Sequence, residues 1–401
     1  MKLNVIGLSF LLAACGARTP LGTRDAGATD APAIGVECTW AVTGPAVRIS
    51  ADPVNAPGDV RLEDAVATTG GALVAWSTPV DTRHPQTIIA RRVGFDLVSN
   101  GDEHVVFSAT AAITHALWYV SLASGYGHVA AVAWDGTHCL LRPITVDGAS
   151  NGAMVDVVGS PCERIAATSP GFDLLFRKPG PAELDLLSLD PVGHPLAPAV
   201  PVFSAGPGSL GATGRATLSD GSFVAAAMAD GGRVISVHRD AHGAPLGSTS
   251  VVSQSPIVVS TLLSTAPVAG GALVSWVELD GVSARIEVSP LRADASPLGA
   301  PLVAASSPTA ITAIDIAPEV MGGALLAWTT DPAASSVHLL SLSAVGTPRG
   351  APLVVPDPVP GAHYEPAVRV VTTGKQGLVF FEVRTDTTPH RVYAAPLACT
   401  P

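Results

Sequence analysis

The chain has 401 residues, of which 47 % are hydrophobic and only 14 % charged, against about 25 % charged residues in typical domains. Its 33 acidic and 22 basic residues give a net charge of −11 at pH 7, which argues against nucleic acid and anionic lipid headgroups as partners. No run of 18 or more apolar residues could cross a bilayer as a helix, so the apolar composition predicts a deeply buried core.

The first residues have the features of an export signal. Lys2 is followed by a short apolar run that ends in Leu-Ala-Ala immediately before Cys15. This ending resembles the lipobox of bacterial lipoprotein signal peptides, in which the cysteine becomes the new N-terminus and carries acyl chains. The resemblance implies a signal peptide over residues 1–15, lipid attachment at Cys15, and a membrane-anchored location in the bacterial cell envelope. The alternative is an ordinary secretory peptide that happens to contain a cysteine.

Residues 16–35 are predicted to be a flexible tether. They are rich in Ala, Gly, Thr, Pro and Asp and contain little that a core could bury. A random coil of this length has a root-mean-square reach of about 25 Å, which would hold a folded body clear of the lipid surface. The remaining residues, 36–401, are predicted to form one domain.

The predicted domain is organised around a repeated stretch. The sequence Gly-Gly-Ala-Leu-Val-Ser-Trp at 270–276 returns in near-copies at 70–76 and 322–328, and degenerate versions bring the number of copies to seven. The large apolar residues that end the copies are Trp76, Trp134, Phe176, Met228, Trp276, Trp328 and Phe380. Their mean spacing of about 51 residues is typical of propellers and some solenoids.

The content of one repeat favours the propeller. In the fifth unit, four short strand-like runs are separated by connectors rich in Gly, Pro and Asp, which form tight turns and exclude a long helix. The repeated stretch is an unbroken apolar run, as expected for a strand that is covered on both faces. The sequence therefore predicts an all-β fold, a seven-bladed β-propeller of four-stranded antiparallel blades. The predicted units are approximately 62–110, 111–161, 162–208, 209–256, 257–307, 308–360 and 361–401.

The two ends of the domain predict how the ring closes. The last unit contains only three strands, whereas two spare strand-like stretches, Cys38 to Val42 and Val47 to Ser50, precede the first unit. A closed ring removes free strand edges. We therefore expect one of these two stretches to pair with Arg391 to Leu397 and to complete the last blade.

The cysteines predict two disulfides. Apart from Cys15, the chain contains Cys38, Cys139, Cys162 and Cys399, an even number for an oxidising compartment. A bond between Cys38 and Cys399 would lock the closure and would stabilise the domain by about 5 kcal/mol in the chain-entropy model. Cys139 and Cys162 would form the second pair, although four cysteines allow three pairings.

The repeated unit resembles the repeats of bacterial cell-surface propeller lipoproteins. The shared features are the Gly-Gly pair, the apolar strand that ends in Trp, a polar turn, a strand such as Val337 to Leu342, and a Gly-x-Pro turn as at Gly346 to Pro348. The resemblance covers residues 62–401 and implies a fold and an envelope location. It implies no particular activity.

No motif for catalysis, metal binding or cofactor binding is recognisable in the sequence. A Gly-x-Ser-x-Gly elbow, the Asp boxes of sialidases and a phosphate-binding loop followed by a helix are all missing, and no two histidines have a metal-binding spacing. We therefore expect no catalytic, metal or cofactor site.

Two hypotheses for the function follow. The first is a non-enzymatic, lipid-anchored binding or scaffold module, monomeric, which presents loops to a protein or glycan partner. The alternative is an envelope glycan lyase or hydrolase, with carboxylates such as Asp156, Asp173 and Asp315 converging at the central channel. A pair of buried carboxylates in a cleft would favour the second hypothesis.

Overall fold

The computed structural model describes most of the chain beyond its N-terminal segment. The described residues are 39–51, 59–78, 86–108, 117–178, 183–204, 210–229, 232–253, 262–280, 283–330, 336–386 and 388–400. The predicted signal peptide, the tether, Cys15 and Cys38 lie outside these ranges. Within them, no helix is long and apolar enough to cross a membrane.

The described residues form 29 β-strands, which are arranged in seven antiparallel sheets. The N-terminal strands are β1 (Thr39–Val42) and β2 (Val47–Arg48). Blade I contains β3 (Arg61–Thr68), β4 (Gly71–Ser77), β5 (Thr87–Gly94) and β6 (His104–Ser108); blade II contains β7 (Trp118–Gly125), β8 (His128–Trp134), β9 (Cys139–Pro143) and β10 (Val155–Val158); blade III contains β11 (Cys162–Thr168), β12 (Gly171–Arg177), β13 (Glu183–Leu189) and β14 (Val200–Ser204). Blade IV contains β15 (Leu210–Thr217), β16 (Phe223–Ala229), β17 (Arg233–Arg239) and β18 (Ser250–Val251); blade V contains β19 (Leu263–Val268), β20 (Gly271–Asp280), β21 (Ser283–Arg292) and β22 (Leu302–Ser307). Blade VI contains β23 (Ile311–Pro318), β24 (Ala324–Thr330), β25 (Val337–Leu342) and β26 (Leu353–Val354); blade VII contains β27 (His363–Thr373), β28 (Gln376–Arg384) and β29 (Arg391–Thr400).

The sheets form a closed ring. In blades I to VI the four strands follow one another in chain order across the sheet. The first strand of every blade contacts the first strands of both neighbouring blades, and the series is completed by contact between β27 of blade VII and β3 of blade I. The seven first strands therefore surround a central channel, and the prediction of a seven-bladed β-propeller is confirmed.

The N-terminal strands complete blade VII, as the sequence predicted. Strand β1 pairs with the end of β29, from Thr39 opposite Thr400 to Val42 opposite Leu397. Strand β2 pairs with the same strand further along, opposite Tyr393 and Ala394. The sequence analysis expected one of the two stretches to pair with the last strand, and both do.

One of the two expected disulfides is confirmed. Cys139 in β9 of blade II is bonded to Cys162 in β11 of blade III, with 5.4 Å between the Cα atoms. The bond joins two neighbouring blades. Cys399 is also disulfide-bonded. Its expected partner, Cys38, lies outside the described residues, so that pairing stays a prediction.

The core is divided among the interfaces between blades. Seven apolar clusters, one for each pair of neighbouring blades, fill the ring. All seven residues of β4 are buried, and Trp76 and Trp276 are among the largest fully buried side chains. The second strand of each blade is thus covered on both faces, which explains why its sequence does not alternate between apolar and polar residues.

The two glycines of the repeat have different roles. Gly270 has a φ of +83°, a left-handed conformation that other residues adopt only with strain. Gly271 has ordinary φ, but a Cβ atom there would lie 2.0 Å from the carbonyl oxygen of Leu291 in the third strand. Gly71 and Gly323 show the same close approach, at 2.2 and 2.1 Å. The first glycine therefore makes the turn, and the second gives the third strand room to pair.

This difference predicts the cost of two alanine substitutions. Gly271→Ala should lower the free energy of unfolding by about 1 to 3 kcal/mol or more, because the added Cβ overlaps a backbone atom that cannot move without breaking the ladder. Gly270→Ala should cost about 1 to 2 kcal/mol, from backbone strain alone. Thermal unfolding followed by circular dichroism measures both.

Gly299→Ala is the matched control, because its Cβ would meet no atom within 4 Å. Its melting temperature should stay close to that of the wild type. Equal melting temperatures for Gly271→Ala and Gly299→Ala would contradict the role given to the second glycine.

Candidate ligand site in the central channel

One polar residue from each blade lies at the same level of the first strands. Each pairs with a residue of the second strand of its blade. That partner lies four positions after the second glycine of the repeat, or after the residue that stands at the glycine's position in blades without it. The seven residues are Asp64, Ser121, Arg164, Thr213, Ser264, Asp315 and Arg369. Because the first strands surround the channel, these residues form a ring around its axis, which we call the polar ring.

A β-bulge shortly before the polar ring sets this level in several blades. The pairing of β3 with β4 shifts between Leu62 and Asp64, and the pairing of β11 with β12 shifts between Cys162 and Arg164. Blades II and IV have the same irregularity just before Ser121 and Thr213. A bulge changes the face on which the following side chains lie. It therefore turns the ring residues toward the axis.

The polar ring connects neighbouring blades through backbone hydrogen bonds. In three places a ring side chain accepts a hydrogen bond from the N–H group of the residue that follows the ring member of the next blade. The pairs are Leu122 N to Asp64 Oδ2 at 2.8 Å, Ile165 N to Ser121 Oγ at 3.5 Å, and Val370 N to Asp315 Oδ2 at 2.9 Å. These bonds hold blades I to II, II to III and VI to VII at the level of the ring.

Charged members of the ring meet across the channel. Arg369 of blade VII places Nε 3.3 Å from Oδ1 of Asp64 in blade I. Arg164 of blade III places Nη1 3.9 Å from the same oxygen atom. Blades I and III are not neighbours in the ring, so the side chain of Arg164 extends past blade II to reach Asp64. The contact therefore lies at the axis of the ring.

Asp315 is the second carboxyl group of the ring. Its Oδ1 accepts a hydrogen bond from Ser264 of blade V at 3.0 Å, and its Oδ2 is bonded to the N–H group of Val370. Burial raises the pKa of Asp315 above its ordinary value, although the charges of Arg369 and Arg164 act in the opposite direction. The carboxyl group therefore keeps its proton to a higher pH than an exposed aspartate does.

The two arginines of the ring differ in how completely they are bonded. Arg369 donates from Nη2 to the carbonyl oxygen of Glu63 at 2.6 Å and from Nη1 to that of Val368 at 2.8 Å, in addition to its contact with Asp64. Arg164 has a side chain that is 36 % exposed, and its polar contact within the described part of the chain is the long one to Asp64. The guanidinium of Arg164 therefore has N–H donors available to a ligand in the channel.

The three carboxylates suggested from the sequence do not converge. Asp315 lies in the polar ring, but Asp156 is exposed on the outermost strand of blade II, 3.7 Å from a ring nitrogen of His138. Asp173 lies on the second strand of blade III, where it is buried and bonded to Arg215 at 2.7 Å. That expectation was wrong, because two of the three residues are not on first strands.

Sequence analysis missed Asp64, Arg164 and Arg369. Their residue types differ from blade to blade, so no repeated letter marks the position. A partial signal was nevertheless present, because the ring member lies seven residues before the start of the second strand in blades I, II, III, V and VII, whereas longer turns change this spacing in blades IV and VI. Among the described residues, no group of three or more His, Cys, Asp or Glu side chains could hold a metal ion.

Fold and site together define a seven-bladed β-propeller with a charged cluster on its axis. No protein-family model matches the chain, and no curated protein matches it. Similar solved structures include a protein of unknown function from Dyadobacter fermentans DSM 18053, with a TM-score of 0.51 and 11 % identity, covering 90 % of this chain and 99 % of that one. The β-propeller domain of Cps50 (Swd1) from Myceliophteria thermophila has a TM-score of 0.50 and 12 % identity, covering 89 % and 99 %. At these identities the similarity shows the fold alone.

A buried carboxyl group outside the channel gives a test of the electrostatics. Glu319 lies in the turn between β23 and β24 and is 1 % exposed. It accepts hydrogen bonds from Ser341 Oγ at 2.7 Å and from Arg349 Nη1 at 3.4 Å. Burial raises the pKa of Glu319 from 4.5 to about 7, although both partners oppose the shift.

Between pH 4.5 and about pH 7, Glu319 keeps its proton in the folded state, whereas the unfolded state has released it. Glu319 therefore lowers stability as pH rises through this window, and the loss is complete above about pH 7. Glu319→Gln cannot ionise. Its free energy of unfolding relative to the wild type should rise by about 2 to 3 kcal/mol between about pH 5 and about pH 8. Chemical denaturation at a series of pH values measures the difference.

Asp102→Asn is the control, because Asp102 is exposed and its substitution removes the same charge. A difference between Glu319→Gln and the wild type that does not change with pH would show that burial of Glu319 does not perturb its ionisation.

Proposed function

We propose that the protein is a lipid-anchored binding or scaffold module of the bacterial cell envelope, with a protein or glycan partner. The fold supports a binding role, because a closed ring is a rigid support for loops and for an axial site. The lipobox-like ending at Cys15 supports the anchor. The tether of residues 16–35 would let the ring reach a partner away from the membrane surface.

The bonding of the channel carboxyl groups is the observation that favours a binding function over a catalytic one. Hydrolysis or elimination of a glycan needs carboxyl groups that are free to give or take a proton at the substrate. Both oxygens of Asp64 have protein partners, since Oδ2 accepts from Leu122 N and Oδ1 contacts Arg369 and Arg164. Both oxygens of Asp315 accept hydrogen bonds from protein groups. These carboxyl groups hold the ring together, which supports a role in recognition.

The anchor is tested by labelling with radioactive palmitate in a bacterial host. The full chain should incorporate label and sediment with membranes, whereas Cys15→Ser should do neither, because serine has no thiol to accept the diacylglyceryl group. Thr19→Ala, in the predicted tether, is the control and should behave like the wild type. Equal labelling of Cys15→Ser and the wild type would contradict the lipid site.

The partner is tested with the full lipidated chain, tagged at its C-terminus and purified in detergent. When a detergent extract of envelopes is passed over the immobilised chain, the folded chain should retain a protein or a glycan that the heat-unfolded chain does not. Failure to retain anything specific would contradict the binding function. Shortening of envelope glycans by the folded chain, lost in Asp315→Asn, would establish the enzymatic alternative in its place.

A further inference from the structure

The guanidinium group of Arg164 is incompletely bonded at the centre of the channel. It is held at one atom, Nη1, by a contact of 3.9 Å with Asp64, and its side chain remains 36 % exposed. Arg369 lies closer to the same carboxylate oxygen, at 3.3 Å. Asp64 is therefore shared between two cations, and Arg369 has the shorter contact. Arg164 is left with N–H groups that face the channel.

The local charge at this point is opposite in sign to that of the whole protein. Arg164 and Arg369 contribute two positive charges, and Asp64 contributes one negative charge. Both oxygens of Asp315 are bonded to protein groups, and burial raises its pKa, so its negative charge is weaker than that of an exposed aspartate at the same pH. The other carboxylates of the described first strands are bonded elsewhere. The contacts are Glu63 with Ser77, Glu163 with Thr213 and Arg177, and Glu365 with Arg384 and His390. The cluster therefore favours an anion, within a protein of net charge −11.

We propose that Arg164 is the anchor of a binding site for a small carboxylate in the central channel. A guanidinium group offers two parallel N–H donors, which match the two oxygens of a carboxylate. In such a complex the ligand would bond to the free donors of Arg164, and Arg369 would contribute charge without leaving its own partners.

The position of the cluster limits the size of the ligand. Asp64 is the fourth residue of the eight-residue strand β3, and Asp315 is the fifth residue of the eight-residue strand β23. The site thus lies about halfway along the channel, inside the ring of first strands. A folded protein surface cannot reach it. The proposed ligand is therefore a small free acid or a single sugar acid.

This proposal goes beyond the partner-binding function proposed above and does not depend on it. A partner on a face of the ring and a small acid in its channel use different surfaces. Either can fail without the other, because the envelope extract tests the first and purified small molecules test the second.

Isothermal titration calorimetry of the full chain in detergent tests the site, with acetate and D-glucuronate as probes and D-glucose as the neutral control. The wild type should bind at least one of the two acids with saturation, and should not bind glucose. Arg164→Gln should weaken binding about 10-fold or more, because it removes a charge-assisted pair of hydrogen bonds. Saturation by acetate indicates a free small acid as ligand, and saturation by glucuronate alone indicates a sugar acid.

Two further variants make the test specific. Arg233→Ala removes the same charge from an exposed position on β17 and should leave binding unchanged. Asp315→Asn, which fixes the residue in an uncharged form, should bind at least as tightly as the wild type. Circular dichroism confirms that each variant is folded, and Arg164→Lys, which keeps the charge but not the two parallel donors, replaces Arg164→Gln if that variant is unfolded.

Three results would overturn the proposal. The first is the absence of saturable binding of either acid to the wild type. The second is binding by Arg164→Gln, or by Arg164→Lys where it is used instead, with the affinity of the wild type. The third is weaker binding by Asp315→Asn, which would mean that the charge of Asp315 assists the ligand.

Discussion

The pairing of the N-terminal strands β1 and β2 with the last strand, β29, is the interaction on which the rest of the structure depends. A single blade cannot bury its own faces, because each apolar cluster is built from two neighbouring blades. Every blade therefore needs a neighbour on either side. Strands β1 and β2 give blade VII its outer edge through β29. Trp40 of β1 then adds its side chain to the core shared with blade VI. Closure therefore fixes the packing of blade VII against both of its neighbours.

The polar ring serves both the fold and the proposed site. Three of its side chains bond to backbone N–H groups of the next blade, so these blades are held at the axis by polar contacts and further out by apolar ones. In these contacts the carboxylate oxygens and most N–H groups of Arg369 are bonded within the protein, whereas Arg164 stays partly exposed. A buried, bonded cluster of this kind is rigid. Rigidity would favour recognition of a small acid, because little conformational freedom is lost on binding.

Part of this account could be predicted from the sequence, for identifiable physical reasons. The Gly-Gly pair before an apolar run reports a turn and a close approach of strands, as at Gly270 and Gly271, so the blades were predictable. The spare strands at the N-terminus reported the closure. The polar ring was only partly predictable, because five of its members share one spacing from the second strand, but β-bulges such as the one before Asp64 set the face on which they lie and no residue type repeats around the ring. Contacts across the axis, such as that of Arg164, depend on the closed ring itself.

The most direct test of the closure is thermal unfolding of two deletion variants. Removal of residues 16–37, which lie before β1, should leave the melting temperature close to that of the full chain. Removal of residues 16–43, which also deletes β1, should lower it by many degrees or prevent folding, because the C-terminal half of β29 loses its outer partner and Trp40 leaves the core. Cys38→Ala in the full chain separates the loss of that cysteine from the loss of the strand. Cooperative unfolding of the 16–43 deletion at the temperature of the full chain would contradict the account.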